Sequence, residues 1–467
     1  MNFSDALICI LLTTFASCYA WGMRGTVIGG EKGAMLPGAF IGLILAWFSG
    51  GAIRESFFIP AAAGLMGMTF GGIETYGETI GLVLHRDSPD YRPVKGYSGL
   101  ALKGALWFSI CGGFIGMSMA SMSYSFYKTR DFVAFCILIP VIQKIGYTLF
   151  NTPYNEEKGI HPKSYYSLTR REEWGSNLTL LISMMAMAII RGDDFSVAMM
   201  SYGFIFGAVG WVVGMKGFVL SSLPLKNGNY LFGKLFRKGL IDGWKVMEFV
   251  LGTFGGFGLS LAFCTRYKYI EKYNEAISIN GRRFMGNERF SDFVPLITAV
   301  CVAAVLVINV YQFICDRKGK ETDSFLWDRI ERPLFNVVPM LFVLLGSAFT
   351  ARIMSVFMLV FVCAMKCVFS RFAKSKLLPL CIAVSLAVCV GTLAGDVILG
   401  GYGPFAVVVA GTVPYLIAEP LSIITKHSRR ERTVGEILFR TSFVTVYPFM
   451  TAMAAVLLAV SYKIFVK

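Results

Sequence analysis

Three carboxylates fall where hydrocarbon would surround them. Glu74 and Glu78 lie in the glycine-rich apolar stretch Phe57 to Leu84, and Glu31 lies in WGMRGTVIGGEKGAMLP (residues 21–37), between two apolar runs. A charge at bilayer depth costs several kcal/mol unless it is paired or faces water, so an intramembrane acid marks a functional site by default. Glu74 and Glu78 are four residues apart and would share one face of a continuous helix. Two carboxylates that close cannot both be ionised cheaply in a low dielectric, which suits them to carry a proton, hold a cation or act as an acid and base pair.

Three further charges belong with them. Arg24 offers a planar fork that can hold a carboxylate or phosphate, and Trp21 beside it offers a flat apolar face. In DGWKVMEF, Lys245 stands between Asp242 and Glu248 at three-residue spacing, with Glu248 the deeper acid. The candidate substrate-binding or coupling set is therefore Trp21, Arg24, Glu31, Glu74, Glu78, Lys245 and Glu248. Glu31, Glu74 and Glu248 are the catalytic candidates if the chain is an enzyme. Arg24 and Lys32 also satisfy the ordinary bias of basic residues toward the cytoplasmic side.

Something must hold these groups in lipid. Hydrophobic residues make up 55% of the 467, charged residues only 16%, against roughly 25% charged in soluble domains; mean hydropathy is +0.62. Reading for runs long enough to cross a bilayer gives about fourteen spans, twelve at the least. They lie near 3–20, 36–53, 57–84, 99–124, 131–150, 174–190, 195–215, 243–265, 292–315, 333–349, 351–370, 377–399, 403–425 and 441–463. The fold expected is an all-α polytopic membrane bundle. The first run lacks the basic start of a secretory signal and reads as a span.

The net charge of +15 is topology rather than a nucleic-acid footprint. With the N-terminus outside, the inner loops carry Arg24 and Lys32, Arg86 to Lys95, Lys158 to Arg171, Lys226 to Lys238, Arg317 to Arg332, Arg371 to Lys376 and Lys426 to Arg432. The loop from Arg266 to Arg289 is the exception; it mixes both signs and is long enough for a small cap on the outer face. The loops LHRDSPDYRP and TPYNEEKGIHPKSYYSLTRREEWG fall on the inner side and can form one mouth there. A multi-pass protein of the plasma (inner) membrane is expected.

Glycine organises the first part of the chain. Gly67 with Gly71, Gly112 with Gly116, Gly203 with Gly207 and Gly252 with Gly256 have the small-x-x-x-small spacing that lets helices approach closely. Residues 21–38 are too glycine-dense for a good helix, and a broken or re-entrant segment is expected there, since irregular backbone at depth must be buried or line a cavity. Two domains follow from this texture: 1–290, glycine-rich and charge-bearing, and 291–467, plainer supporting helices. Within the first, KGALWFSICGGFIGMSMA (103–120) echoes WKVMEFVLGTFGGFGLSLA (244–262), the trace expected of an internal repeat. Asp396 and Glu419 are late, weaker candidates, and a kink or stop is expected at Pro420.

Other chemistries are excluded. The 11 cysteines lie almost wholly in apolar runs without C-x-x-C spacing, and 3 histidines are too few to join them; no metal, disulfide or cofactor is expected. GNYLFGKL (228–235) has Leu235 where a phosphate-binding loop needs Ser or Thr. Two functions from different classes remain. One is a transporter or ion-coupled permease for a small polar or anionic solute, with proton or sodium as the coupling ion. The other is a membrane-embedded, glycosidase-like hydrolase using two carboxylates on a carbohydrate or lipid-linked substrate, with Trp21, Trp107, Trp174 and Trp244 stacking on sugar rings.

Overall fold

The computed structural model describes residues 1–24, 32–72, 76–123, 126–155, 157–167, 171–222, 243–281, 288–317, 333–357, 359, 387, 391, 402–428 and 441–466. Glu31, Glu74, Asp242, Asp396 and the 360–386 region of the chain lie outside these. Regular structure among the described residues is helical, apart from one isolated bridge between Asn155 and Ile160. Seven helices are long and apolar enough to cross a membrane, and five shorter apolar helices accompany them. The class is a membrane-type helical bundle; fourteen spans are not reached among the described residues.

Six helices form a closed ring: α1 (Phe3–Arg24), α2 (Met35–Phe48), α4 (Phe58–Gly72), α6 (Pro93–Ser121), α9 (Asp194–Ser222) and α10 (Gly243–Thr265). Each packs on the next, and α10 returns to α1. Neighbours around the ring run antiparallel, because α1, α4 and α9 leave one face of the bundle and α2, α6 and α10 return to it. Short helices α3 (Gly51–Glu55) and α5 (Gly77–Leu84) fill the connections, and α7 (Thr129–Phe150) and α8 (Trp174–Arg191) pack together outside α6.

Glycine makes all but one of the seams. A Cβ at Gly38 would stand 2.0 Å from the Gly64 carbonyl oxygen across α2–α4, and one at Gly104 would stand 2.3 Å from the Gly207 oxygen across α6–α9. Gly67 meets Cys111, Gly214 meets Met247, and Gly252 and Gly256 meet Ser17. The α1–α2 seam alone uses no such glycine. The small-x-x-x-small pairs read from the sequence thus lie at helix contacts. Where backbones touch, dispersion replaces the hydrophobic force that lipid cannot supply.

The outer surfaces are apolar, as contact with lipid requires. Ile137, Leu138, Val141, Ile145 and Leu149 form an exposed apolar stripe on α7, and Ile205, Val209 and Val212 form another on α9. Contiguous apolar surface of this kind is untenable in water. By contrast, α6 is buried along nearly its whole length from Gly99 to Ser121.

At the first face, α11 (Tyr267–Asn280) lies across the helix ends as the cap expected from its loop. Tyr273 and Tyr127 donate to the buried Asp193 carboxylate at 2.8 and 2.6 Å, and Asn274 Nδ2 donates to the Ser49 carbonyl at 2.9 Å. Asp193 also accepts from the Ser196 backbone N–H at 3.0 Å, which caps the start of α9. Helices α12 (Glu288–Arg317), α13 (Val338–Leu344), α14 (Ala348–Arg352), α15 (Gly403–Ser428) and α16 (Thr441–Phe465) complete the bundle. One expectation is corrected here: α15 continues through Pro420 to Ser428 instead of stopping. Transmembrane helices tolerate proline because neighbours re-satisfy the freed carbonyl.

The two echoing segments fall in α6 and α10, which run in the same direction. Both lysines are buried, Lys245 in the first turn of α10 but Lys103 close to the middle of α6. The glycines aligned in their preceding spans do different work. Gly67 faces Cys111 and Gly207 faces Gly104, two separate stretches of α6.

Candidate functional site

Helix ends converge inside the ring. Trp107 is the midpoint of α6, about 21 Å from either end at a rise of about 1.5 Å per residue, and at its level lie Arg24 and Gly72, the last described residues of α1 and α4. Helix α10 begins close by at Gly243, and α5 starts at Gly77. Here the reading of one helix from Phe57 to Leu84 is corrected: Tyr76 has non-helical backbone (φ −129°, ψ −11°) and a new helix begins at Gly77, while position 74 lies outside the described residues. Glycine at 71, 72 and 77 weakens the helix where the break falls.

Aromatic rings fill this level. Trp21 and Trp107 stack with centroids 5.4 Å apart and planes 5° from parallel, and Trp211 meets the edge of Trp107 at 5.7 Å. Tyr76 lies 5.8 Å from Trp107, 5.1 Å from Trp211 and 6.1 Å from Trp244. The Arg24 guanidinium is 4.7 Å from the Trp107 ring, 4.9 Å from Trp21 and 5.1 Å from Tyr76. Arg24 is only 2% exposed. A desolvated cation against aromatic faces gains about 2 kcal/mol or more, which offsets part of its burial. The indole N–H groups of Trp21, Trp107 and Trp211 are buried with no hydrogen-bond acceptor among the described residues.

Lys245 and Glu248 adjoin the cluster. Lys245 Nζ donates to Glu248 Oε2 at 3.0 Å and to the Gly22 carbonyl at 2.6 Å. That carbonyl lies in the last described turn of α1. Lys245 therefore joins the end of α1 to the start of α10. Residues 21 and 249 fix the same junction, since Gly22 abuts the Phe249 ring and Gly252 abuts Trp21.

Glu78 points elsewhere. Its Oε2 accepts from the Ser167 hydroxyl, in the connection between α7 and α8 at the second face. Beside it, Lys103 donates to Glu172 Oε1 at 2.7 Å and to Thr79 Oγ1 at 2.9 Å, and the Tyr166 N–H donates to Glu172 Oε2 at 2.8 Å. Lys103 and Glu172 are fully buried. Burial pushes the Tyr165 and Tyr166 phenols above their ordinary range. The two loops read as one mouth do meet here, around an open groove of about 570 Å³ lined by Arg92, Lys95, Ser98, Lys163, Ser164 and Tyr166.

Of the candidates named from sequence, the structure brings Trp21, Arg24, Lys245 and Glu248 together. It places Glu78 in a separate cluster toward the second face, while Glu31 and Glu74 lie outside the described residues. Sequence reasoning missed Trp211 and the Lys103–Glu172 pair. A lone tryptophan or lysine in the middle of an apolar run was the available signal, but Glu172 reads as part of a solvated loop. No cluster of three or more metal-ligating side chains occurs among the described residues.

Among the described residues the chain is an all-helical bundle with seven helices long and apolar enough to cross a membrane, and its ring encloses a buried polar and aromatic centre. No family model matches the chain, and neither a curated protein nor a solved structure matches it.

Proposed function

We propose that the chain is a multi-pass membrane transporter, an ion-coupled permease for a small polar or anionic solute. The observation that carries this reading is the meeting, at the middle of the bundle, of Arg24, the Lys245–Glu248 pair and the helix break at Tyr76. Transporters place their sites at such half-helix ends, where dipoles and unpaired backbone groups are available to solute and ion. Lys245 ties α1 to α10 through the Gly22 carbonyl, and the Glu248 carboxylate helps hold its ammonium there. Proton or cation capture by Glu248 would loosen that tie, giving a coupling step without any cofactor. The groove of Arg92, Lys95 and Lys163 then serves as the entrance on the second face, cytoplasmic in this reading, with the N-terminus outside.

The hydrolase reading needs two carboxylates facing one bond, and Glu248 is instead engaged with Lys245. The test is uptake into proteoliposomes from a panel of labelled organic acids, sugars and amino acids, with and without a proton gradient. Gradient-driven uptake that Glu248→Gln reduces at least tenfold, with the protein still monodisperse, supports the proposal. Uptake unaffected by both Glu248→Gln and Glu78→Gln would remove these carboxylates from coupling.

A further inference from the structure

Three buried donors in one place call for an acceptor. A buried polar group left unpaired is costly in folding, and natural proteins keep few of them. Trp21, Trp107 and Trp211 each present such an indole N–H, each ring is 1% exposed or less, and all three belong to one contact cluster. They come from three different helices of the ring, α1, α6 and α9, so no single local turn accounts for them. Indole donates and cannot accept, and the same holds for the guanidinium and ammonium groups beside it.

We infer that this cluster is the binding site for an organic carboxylate, its oxygens taking indole N–H donors and its flat body resting on the aromatic rings. Glu248, held by Lys245, and the Tyr76 hydroxyl can accept at this level, but the three unpartnered indoles are all donors and match a ligand that only accepts; an ionised carboxylate is such a ligand, whereas an alcohol or sugar must also donate. The ring faces argue for an apolar or conjugated body rather than a bare inorganic anion. The resident cation Arg24 already occupies the negative faces of Trp21, Trp107 and Tyr76, which disfavours a cationic ligand. The inference rests on the transporter reading for its biological sense and on the donor geometry for its chemistry.

The experiment separates the two. Purified protein is titrated with benzoate, sulfate, benzyl alcohol and benzylammonium, read by calorimetry and by ligand-induced shift in thermal unfolding. Benzoate is expected to bind saturably and the others at least tenfold more weakly. Trp107→Phe and Trp211→Phe keep a ring but remove the donor, and each is expected to weaken benzoate about tenfold or more. Trp174→Phe is the control, because its buried indole N–H also lacks an acceptor among the described residues but packs on Phe150 and Tyr166, away from the cluster; its affinity should match the wild type. Absence of benzoate binding, preference for benzylammonium, or equal effects of all three Trp→Phe changes would overturn the inference. Benzoate binding with the expected variant pattern, but no uptake of any carboxylate into proteoliposomes, would uphold the site and overturn the transporter reading instead.

Discussion

Lys245 and Glu248 are both nearly buried, and so are Lys103 and Glu172. Breaking such a pair from one side leaves an uncompensated charge, which costs about 3–5 kcal/mol, whereas replacing both partners with apolar residues is often neutral. Lys103→Met is therefore expected to destabilise the protein by that amount, and Lys103→Met combined with Glu172→Leu to recover most of it, as read by unfolding in detergent. Equal stability of the single and double variants would show that the pair is not coupled. At this scale the three-residue spacing in DGWKVMEF revealed that Lys245 and Glu248 share one face, and both are buried. For Glu78 the sequence offered Glu74, which lies outside the described residues, and gave no sign of Ser167, a partner 89 positions away.

The ring helices owe their closeness to glycine, and the contacts rank the positions. A side chain at Gly207 would collide with the Gly104 backbone, whereas one at Gly77 would meet nothing within 4 Å. Gly207→Val is expected to lose about 1–3 kcal/mol or more through overpacking and to lower the yield of folded protein on size-exclusion chromatography. Gly77→Ala should behave as wild type in the same assay. The cap helix α11 supplies a pH response. Burial, and next the Asp193 carboxylate, push the Tyr127 and Tyr273 phenols above their ordinary value. A raised phenol favours the folded state fully below the unfolded value of about 10, and that contribution is lost as pH rises beyond it. Thermal stability should therefore stay level to about pH 10 and fall above it, with the fall blunted in Tyr127→Phe/Tyr273→Phe. The helices were legible from hydropathy and the seams from small-residue spacing. The interruption at Tyr76 was not, because the glycines around it fit a seam as well as a break.

For the whole molecule, the described connections sort onto two faces. Met1, the 49–51 turn and α11 share one, through Glu271, Tyr267 and Asn274, and the 85–92 and 157–167 segments share the other. A membrane-impermeant maleimide applied to intact cells is expected to label Ser278→Cys and spare Lys163→Cys in a background without native cysteines. Labelling of both from the same side would contradict an α-bundle crossing the membrane in this order. The charge bias of the loops carried this two-sided sorting into the sequence. The number of spans was less legible, since hydropathy registers α2 and α4 as spans although each is a short helix of the ring.

The Lys103–Glu172 pair has a consequence for how the protein is made. The lysine enters the bilayer 69 positions before its partner is joined to the chain, an interval of about 3 to 14 s at ordinary elongation rates. During that time a helix otherwise fit for lipid carries a lysine that lacks Glu172, a charge worth about 3 kcal/mol against insertion. Only after α7 has been laid down and the following loop has folded back does Lys103 gain that carboxylate. Nascent chains that end before Glu172 should consequently be held by the insertion machinery or degraded, so quality control of this protein can read a single late-arriving carboxylate.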